Sequence, residues 1–162
     1  MVNYSFIIRK AIKEDAPAIQ EIMQESFRQY IENTGLCGSL EALTESVEDI
    51  ERDIATKEVY IAIIDNVAVG SVRVELLPDH TAYLSRFGVK LCYHNIGIGK
   101  SLMNLVDKLL ISREVKRVSL HTASKYCDLV RFYYGRGFYI DSTTKDRGYV
   151  RALMVKEYAQ RC

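Results

Sequence analysis

No Cys-x-x-Cys pair, no apolar run long enough to cross a bilayer, no internal repeat and no excess of one charge occur in these 162 residues. Each absence removes a class of function. The four cysteines, Cys37, Cys92, Cys127 and Cys162, are scattered, and His80, His94 and His121 show no metal-ligand spacing with them, so no metal is expected. Free thiols in a reducing compartment are the reading that remains. The 22 basic and 21 acidic side chains leave a formal charge of +1, without the one-sided field of a nucleic-acid or membrane-surface binder. Met1 to Phe6 lack the charged and apolar regions of a signal peptide, and a cytoplasmic location is expected. A Ser-His-Asp or Cys-His signature is also missing, which suits chemistry without a covalent enzyme intermediate.

What is present centres on His94-Asn95-Ile96-Gly97-Ile98-Gly99-Lys100-Ser101, a glycine-rich turn that enters a helical pattern. Tyr83 to Val89 ahead of it reads as a strand, and Leu102, Met103, Leu105, Val106, Leu109 and Leu110 recur at helical spacing after it. Strand, glycine turn and helix start together make an anion site. The helix N-terminus leaves backbone N–H groups unpaired and partly positive, and glycine lets a phosphate come close to the main chain. A phosphorylated ligand is the expectation; glycines serving only tight packing are the plain alternative. A Walker A loop would need glycine at His94, and a dinucleotide fingerprint would need a third glycine at Leu102.

The remaining pattern orders the chain. Phe6 to Arg9 reads as a strand, and Ile19, Ile22, Met23, Ser26, Phe27 and Tyr30 trace one helical face, with Pro17 tolerable in the first turn. Gly35 to Ser39 breaks the pattern before a second helix with Leu43, Val47, Ile50 and Ile54 on one stripe. Val59 to Ile64 and Val67 to Val74 read as a hairpin around Asp65-Asn66. Val118, Leu120 and Thr122 alternate as in a strand; Leu129, Phe132 and Tyr133 fit a short helix ending at Gly135 or Gly137. Phe138 to Asp141 and Tyr149 to Val155 close the list of strands. The sum is one α/β domain over 1–162, with a mixed central sheet of six to seven strands flanked by about four helices.

This order, with three local motifs, resembles the GNAT superfamily of N-acetyltransferases over nearly the whole chain. The motifs are the turn His94-Asn95-Ile96-Gly97-Ile98-Gly99, the strand end Phe87-Gly88-Val89, and Tyr126 followed by Phe132-Tyr133-Tyr134-Gly135-Arg136-Gly137-Phe138. The resemblance implies acetyl-CoA as co-substrate. Phe87, Gly88 and Val89 would pair with its pantetheine as though it were an added strand. The amides of Asn95, Ile96, Gly97, Ile98, Gly99 and Lys100 would hold its pyrophosphate, with Ser101 in the same turn. His94 stands where the family has arginine or glutamine, and Tyr126 where an asparagine commonly contacts the cofactor. Family members often dimerise, so a homodimer is among the expectations.

The implied reaction moves acetyl from the thioester to a primary amine, on a small molecule or a peptide, by direct attack in a ternary complex. The amine must be neutral, the oxyanion needs a donor and the leaving thiolate benefits from a proton. Tyr133 matches the family's general acid, and a phenol with an unperturbed pKa of ~10 can donate at neutral pH. His121 falls where some members place a base, and imidazole at ~6.5 is suited to accept a proton. Glu75 and ordered water are the other candidates for the base. The first two helices, near Tyr30, Glu32 and Asn33, are expected to bind the acceptor amine. The rival reading is an acyl-CoA-binding regulatory domain with little catalysis.

Overall fold

A computed structural model describes residues 5–35 and 41–159; Cys37, Cys162, residues 1–4 and most of the break at Gly35–Ser39 lie outside the described residues. The chain opens with β1 (Ile7–Lys10), α1 (Ala16–Thr34), α2 (Glu41–Thr44) and α3 (Val47–Thr56). A meander of β2 (Glu58–Ile64), β3 (Val67–Leu76) and β4 (Thr81–Val89) follows. Then come α4 (Ile98–Ser112), β5 (Arg117–Ala123), α5 (Cys127–Gly135), β6 (Tyr139–Thr144) and β7 (Arg151–Glu157).

Local chemistry accounts for the main boundaries. Pro17 occupies the first turn of α1, where its missing N–H costs nothing, and Gly35 at φ 65° ends the helix by donating to the Ile31 carbonyl at 2.9 Å. Asp65 and Asn66, at φ 48° and 66°, make the left-handed pair that a two-residue hairpin requires. The single helix expected from Leu43 to Ile54 is instead two, α2 and α3. Ser46 stops the first and caps the second: its Oγ accepts from Asp49 N–H at 3.1 Å while Asp49 accepts from Ser46 N–H at 3.0 Å. This reciprocal cap outweighs the continuous apolar stripe.

The seven strands form one sheet in the order β1-β2-β3-β4-β5-β7-β6. Every pair is antiparallel except β4–β5, and that pair is in register only over Thr81–Tyr83 against Arg117–Ser119. Beyond Tyr83 the two strands part. β4 also bulges, since Ser71 faces Gly88 while Arg73 faces Ser85, and Arg86 within the bulge takes φ 53°. Both faces of the sheet are covered. Ile19, Ile22 and Met23 of α1 and Ile50 of α3 pack with Val59 and Ile61 on one face. Leu102, Val106 and Leu110 of α4, with Tyr133 of α5, pack with Val72, Val74, Leu84 and Leu120 on the other.

One charged side chain lies inside this packing. Arg73 is fully buried and holds Glu45 through two bonds, Nη1 to Oε2 at 2.9 Å and Nη2 to Oε1 at 2.6 Å. Its Nη1 also donates to Asp53 at 2.8 Å, so β3 is tied to α3 and to the α2–α3 junction at once. Glu45 makes these bonds from the junction where the two helices break. Removing one partner of such a pair strands the others in low dielectric. Arg73→Met is expected to lower the unfolding free energy by about 3–5 kcal/mol in a urea titration. A loss within about 1 kcal/mol, the range of an exposed pair, would show that the network is no more than a surface contact.

Candidate functional site

The parting of β4 and β5 opens a cleft of about 680 Å3, walled by both strands, α1, α5 and the turn before α4. Two wedges hold it open. Phe87 of β4 stacks on Phe132 of α5, with centroids 5.6 Å apart and planes within 10°. Tyr30 of α1 reaches across so that its hydroxyl accepts a hydrogen bond from Ala123 N–H, a donor on β5 that β4 would otherwise satisfy.

At one end of the cleft, Asn95 (φ 63°) and Gly97 (φ 91°) turn the chain into α4. No side chain caps α4, in contrast to α3, so the N–H groups of its first turn are left for a ligand. Gly97 meets nothing within 4 Å where a Cβ would stand; its backbone angle, not crowding, demands glycine. Gly88 is constrained differently, because a Cβ there would collide with the Ser26 side chain of α1. His94 donates from Nε2 to the Val89 carbonyl at 2.8 Å, which pins the turn to the end of β4. A carbonyl can only accept, so this bond requires the tautomer with hydrogen on Nε2.

Farther in, Tyr133 is buried against Phe132 and Phe138, with centroids 5.6 Å from each. Its hydroxyl has no hydrogen-bond partner among the described residues, and burial raises its pKa beyond the usual phenol range. It therefore remains a proton donor at any physiological pH. Across the opening, Tyr83 Oη and His121 Nδ1 lie 2.7 Å apart. Burial lowers the His121 pKa below 6.5, and the nearby Arg151 and Arg147 guanidinium groups lower it further against the opposing pull of Asp146. The imidazole is thus neutral near pH 7. Side chains alternate along a strand, and Leu120 faces the same cluster as Tyr133, so His121 points to the opposite face. The two groups share a cleft only because the sheet is open between them.

Of the residues singled out from the sequence, Phe87, Gly88, Val89, His94, Asn95, Gly97, Ile98, Gly99, Lys100, His121, Tyr126 and Tyr133 line this cleft. Ile96 and Ser101 do not. Ile96 packs on the core below the turn, and Ser101 N–H is already spent on the Gly97 carbonyl at 2.9 Å. Tyr126 turns toward α1, its ring 5.2 Å from that of Tyr30 and its hydroxyl accepting from Asn33 Nδ2 at 2.9 Å. Glu75 is exposed and sits directly across from Tyr83. The Tyr83 partner of His121, the Tyr30 wedge and the guanidinium groups of Arg86, Arg147 and Arg151 were not foreseen. Alternation along β4 and β5 could have signalled the first. Among the described residues no group of three His, Cys, Asp or Glu side chains could hold a metal ion, and no helix is long and apolar enough to cross a membrane.

Known proteins share this fold. A model of the acetyltransferase (GNAT) family matches residues 17–138. The PaiA N-acetyltransferase of Thermoplasma acidophilum, solved in complex with coenzyme A, superposes with a TM-score of 0.84 at 22% identity, covering 95% of this chain and 99% of that one. The ribosomal-protein-S18-alanine N-acetyltransferase of Escherichia coli gives a TM-score of 0.79 at 15% identity, covering 98% and 97%. A GNAT acetyltransferase of Staphylococcus aureus Mu50 gives 0.75 at 17% identity, covering 94% and 99%.

The backbone at Gly97 offers a direct check on the turn. Alanine there meets no atom but must hold φ near 91°, a cost of about 1–2 kcal/mol. Gly97→Ala is expected to weaken acetyl-CoA binding about tenfold by calorimetry. Unchanged affinity would place the ligand elsewhere.

Proposed function

The chain belongs to the GNAT family of acetyltransferases, which use acetyl-CoA, and on that premise we propose that it acetylates a primary amine by direct attack in a ternary complex. The observation that carries this reading is the opening between β4 and β5, which a neutral imidazole and a protonated phenol reach from opposite faces. Acetyl-CoA brings the activated thioester. Phe87 to Val89 offer a strand edge that β5 leaves unpaired, suited to the amides of pantetheine. The N–H groups from Asn95 to Lys100, at the uncapped start of α4, are suited to its pyrophosphate, and Lys100 adds charge beside them.

In the proposed reaction the amine nitrogen bonds to the acetyl carbon and the carbon–sulfur bond breaks. His121 takes the amine proton at Nε2. That requires its hydrogen to sit on Nδ1, where it would donate to Tyr83 Oη at 2.7 Å. Tyr133 supplies its proton to the departing sulfur. The elevated Tyr133 pKa keeps the phenol protonated at neutral pH, as an acid must be before it donates, while making it the weaker acid. Glu75, across the strand from Tyr83, is the second candidate for the base. An acyl-CoA-binding regulator without catalysis is not favoured, because such a domain would have no use for an acid and a base facing one opening.

Removing the acid should affect chemistry rather than binding. Tyr133→Phe is expected to lower kcat about a hundredfold while acetyl-CoA affinity is retained; unchanged kcat would sink the assignment. For the base, the sign follows from the lowered pKa. Only neutral His121 accepts a proton, so kcat should rise with pH along a limb centred below 6.5 and be level in that group above it. His121→Gln should abolish this limb and Glu75→Gln should leave it; the reverse outcome would move the base to Glu75.

A further inference from the structure

Three aromatic rings run in a row along one wall of the cleft. Phe27 and Tyr30 project from α1 with ring centroids 5.7 Å apart, and Tyr126, just before α5, continues the row 5.2 Å from Tyr30. Phe27 packs on the cluster that α1 forms with β2, which puts the row on the side of the sheet where His121 sits. Tyr30 ties it to β5 through Ala123, two residues beyond His121 and so about 7 Å farther along the strand. Tyr30 is nearly buried between its neighbours, whereas Phe27 and Tyr126 are half-buried and keep ring surface open to the cleft.

The polar atoms around this row are held by the protein itself. The Tyr30 hydroxyl accepts from Ala123 N–H, the Tyr126 hydroxyl from Asn33 Nδ2, and the Tyr83 hydroxyl is bound to His121. The charges are engaged as well. Arg151 is paired with Asp146, Arg86 shares Glu45 with Arg73, Asp53 lies between Arg73 and Lys57, and Arg147 is not free either. Glu75 and Asp128, the lining carboxylates without an ion pair or hydrogen bond among the described residues, are both exposed to solvent. Neither sign of charge dominates this wall; what it offers a ligand is ring surface.

Resting on the acetyltransferase reading above, we propose that the acceptor is a primary amine joined by one or two carbons to an aromatic ring, and that Tyr126 contacts this acceptor and not the cofactor. The nitrogen meets His121 while the ring lies on Tyr126 and Phe27. Burying a flat apolar body against half-open rings is favourable in itself, and offset or edge-on contact between aromatic rings adds to it. Ring faces also attract an ammonium, so a diamine is the competing acceptor. The carboxylates near the row are exposed or already paired, however, and none is left to offset the lost hydration of a second ammonium. Tyr126 turns toward α1 and away from the turn before α4, which sets it apart from the amides proposed to hold pyrophosphate.

The test compares amines with the wild-type enzyme and acetyl-CoA, measuring acetylated product by mass. 2-Phenylethylamine is set against 2-cyclohexylethylamine, propylamine and 1,4-diaminobutane. The expected result is a kcat/KM for the phenyl amine about tenfold or more above propylamine and the diamine, and about threefold or more above the cyclohexyl amine, which is apolar but lacks a ring face. Tyr126→Leu should raise KM for the phenyl amine about fivefold while calorimetry finds the affinity for acetyl-CoA retained. Tyr126→Phe keeps the ring and drops the bond to Asn33, so it should recover most of that loss; a residue serving only to latch α1 would lose equally in both variants. Equal or better use of any of the three comparison amines would overturn the proposal and leave the transferase reading intact, as would turnover confined to amines without an aromatic ring. A Tyr126→Leu variant that loses acetyl-CoA affinity instead would return this residue to the cofactor. Acetyl-CoA binding without acetylation of any amine would sink the transferase reading, and this inference with it.

Discussion

Two parallel strands that pair over three residues and then separate are the constraint on which the rest of the molecule depends. A parallel ladder left half-made would ordinarily be a defect, because each N–H and C=O on its inner edges must find a partner or face solvent. Here the separation is stabilised piece by piece. The bulge at Arg86 bends β4 away, the Phe87–Phe132 stack fills the gap from the α5 side, and the Tyr30 hydroxyl satisfies Ala123 from the α1 side. The strand edge that remains unpaired is the one proposed above to meet pantetheine. A continuous β4–β5 ladder would bury it and would also divide Tyr133 from His121 by a closed sheet.

The wedge must itself be held, and the Arg73 network contributes to that. α1 and α3 cover the same face as His121, and α3 is fastened to β3 by a buried guanidinium that grips two carboxylates. A buried ion pair gives up much of its attraction to desolvation, so apolar residues of similar volume could match it in stability. What an apolar patch could not supply is direction: the bidentate fork fixes Glu45 at one point beside the α2–α3 break. The neighbouring Arg86 shares Glu45, so the same carboxylate links the strand bulge to the helical layer.

Much of this was legible in the sequence, and the parts that were not share a physical reason. Local signals carried the order of elements, the hairpin at Asp65-Asn66 and the glycine turn, since each depends on residues within a few positions of one another. The family resemblance then brought Tyr133 and His121 forward. Ser101 was drawn in by motif position alone, and the helix consumes its amide; Ile96 packs its side chain on the core and enters the reading only through its backbone. The split between α2 and α3 was missed because an apolar stripe looked continuous through Ser46, although Ser46 and Asp49 stand at capping-box spacing. Tyr83 with His121, and the three arginines around them, are pairings between distant segments, fixed only by strand register and by the bulge. No local pattern encodes them.

The uncapped start of α4 has a further consequence, for how long the protein persists rather than for what it does. Its first turn leaves N–H donors that no side chain satisfies, so the folded chain on its own is missing bonds that a phosphate ligand can make. A ligand that binds the folded form and not the unfolded one deepens the native basin by mass action, about 2.7 kcal/mol when present at a hundred times its Kd. Unfolded chain is what proteases and aggregation remove. The persistence of such a fold would then follow the supply of coenzyme A, acylated or free, since both carry the same pyrophosphate.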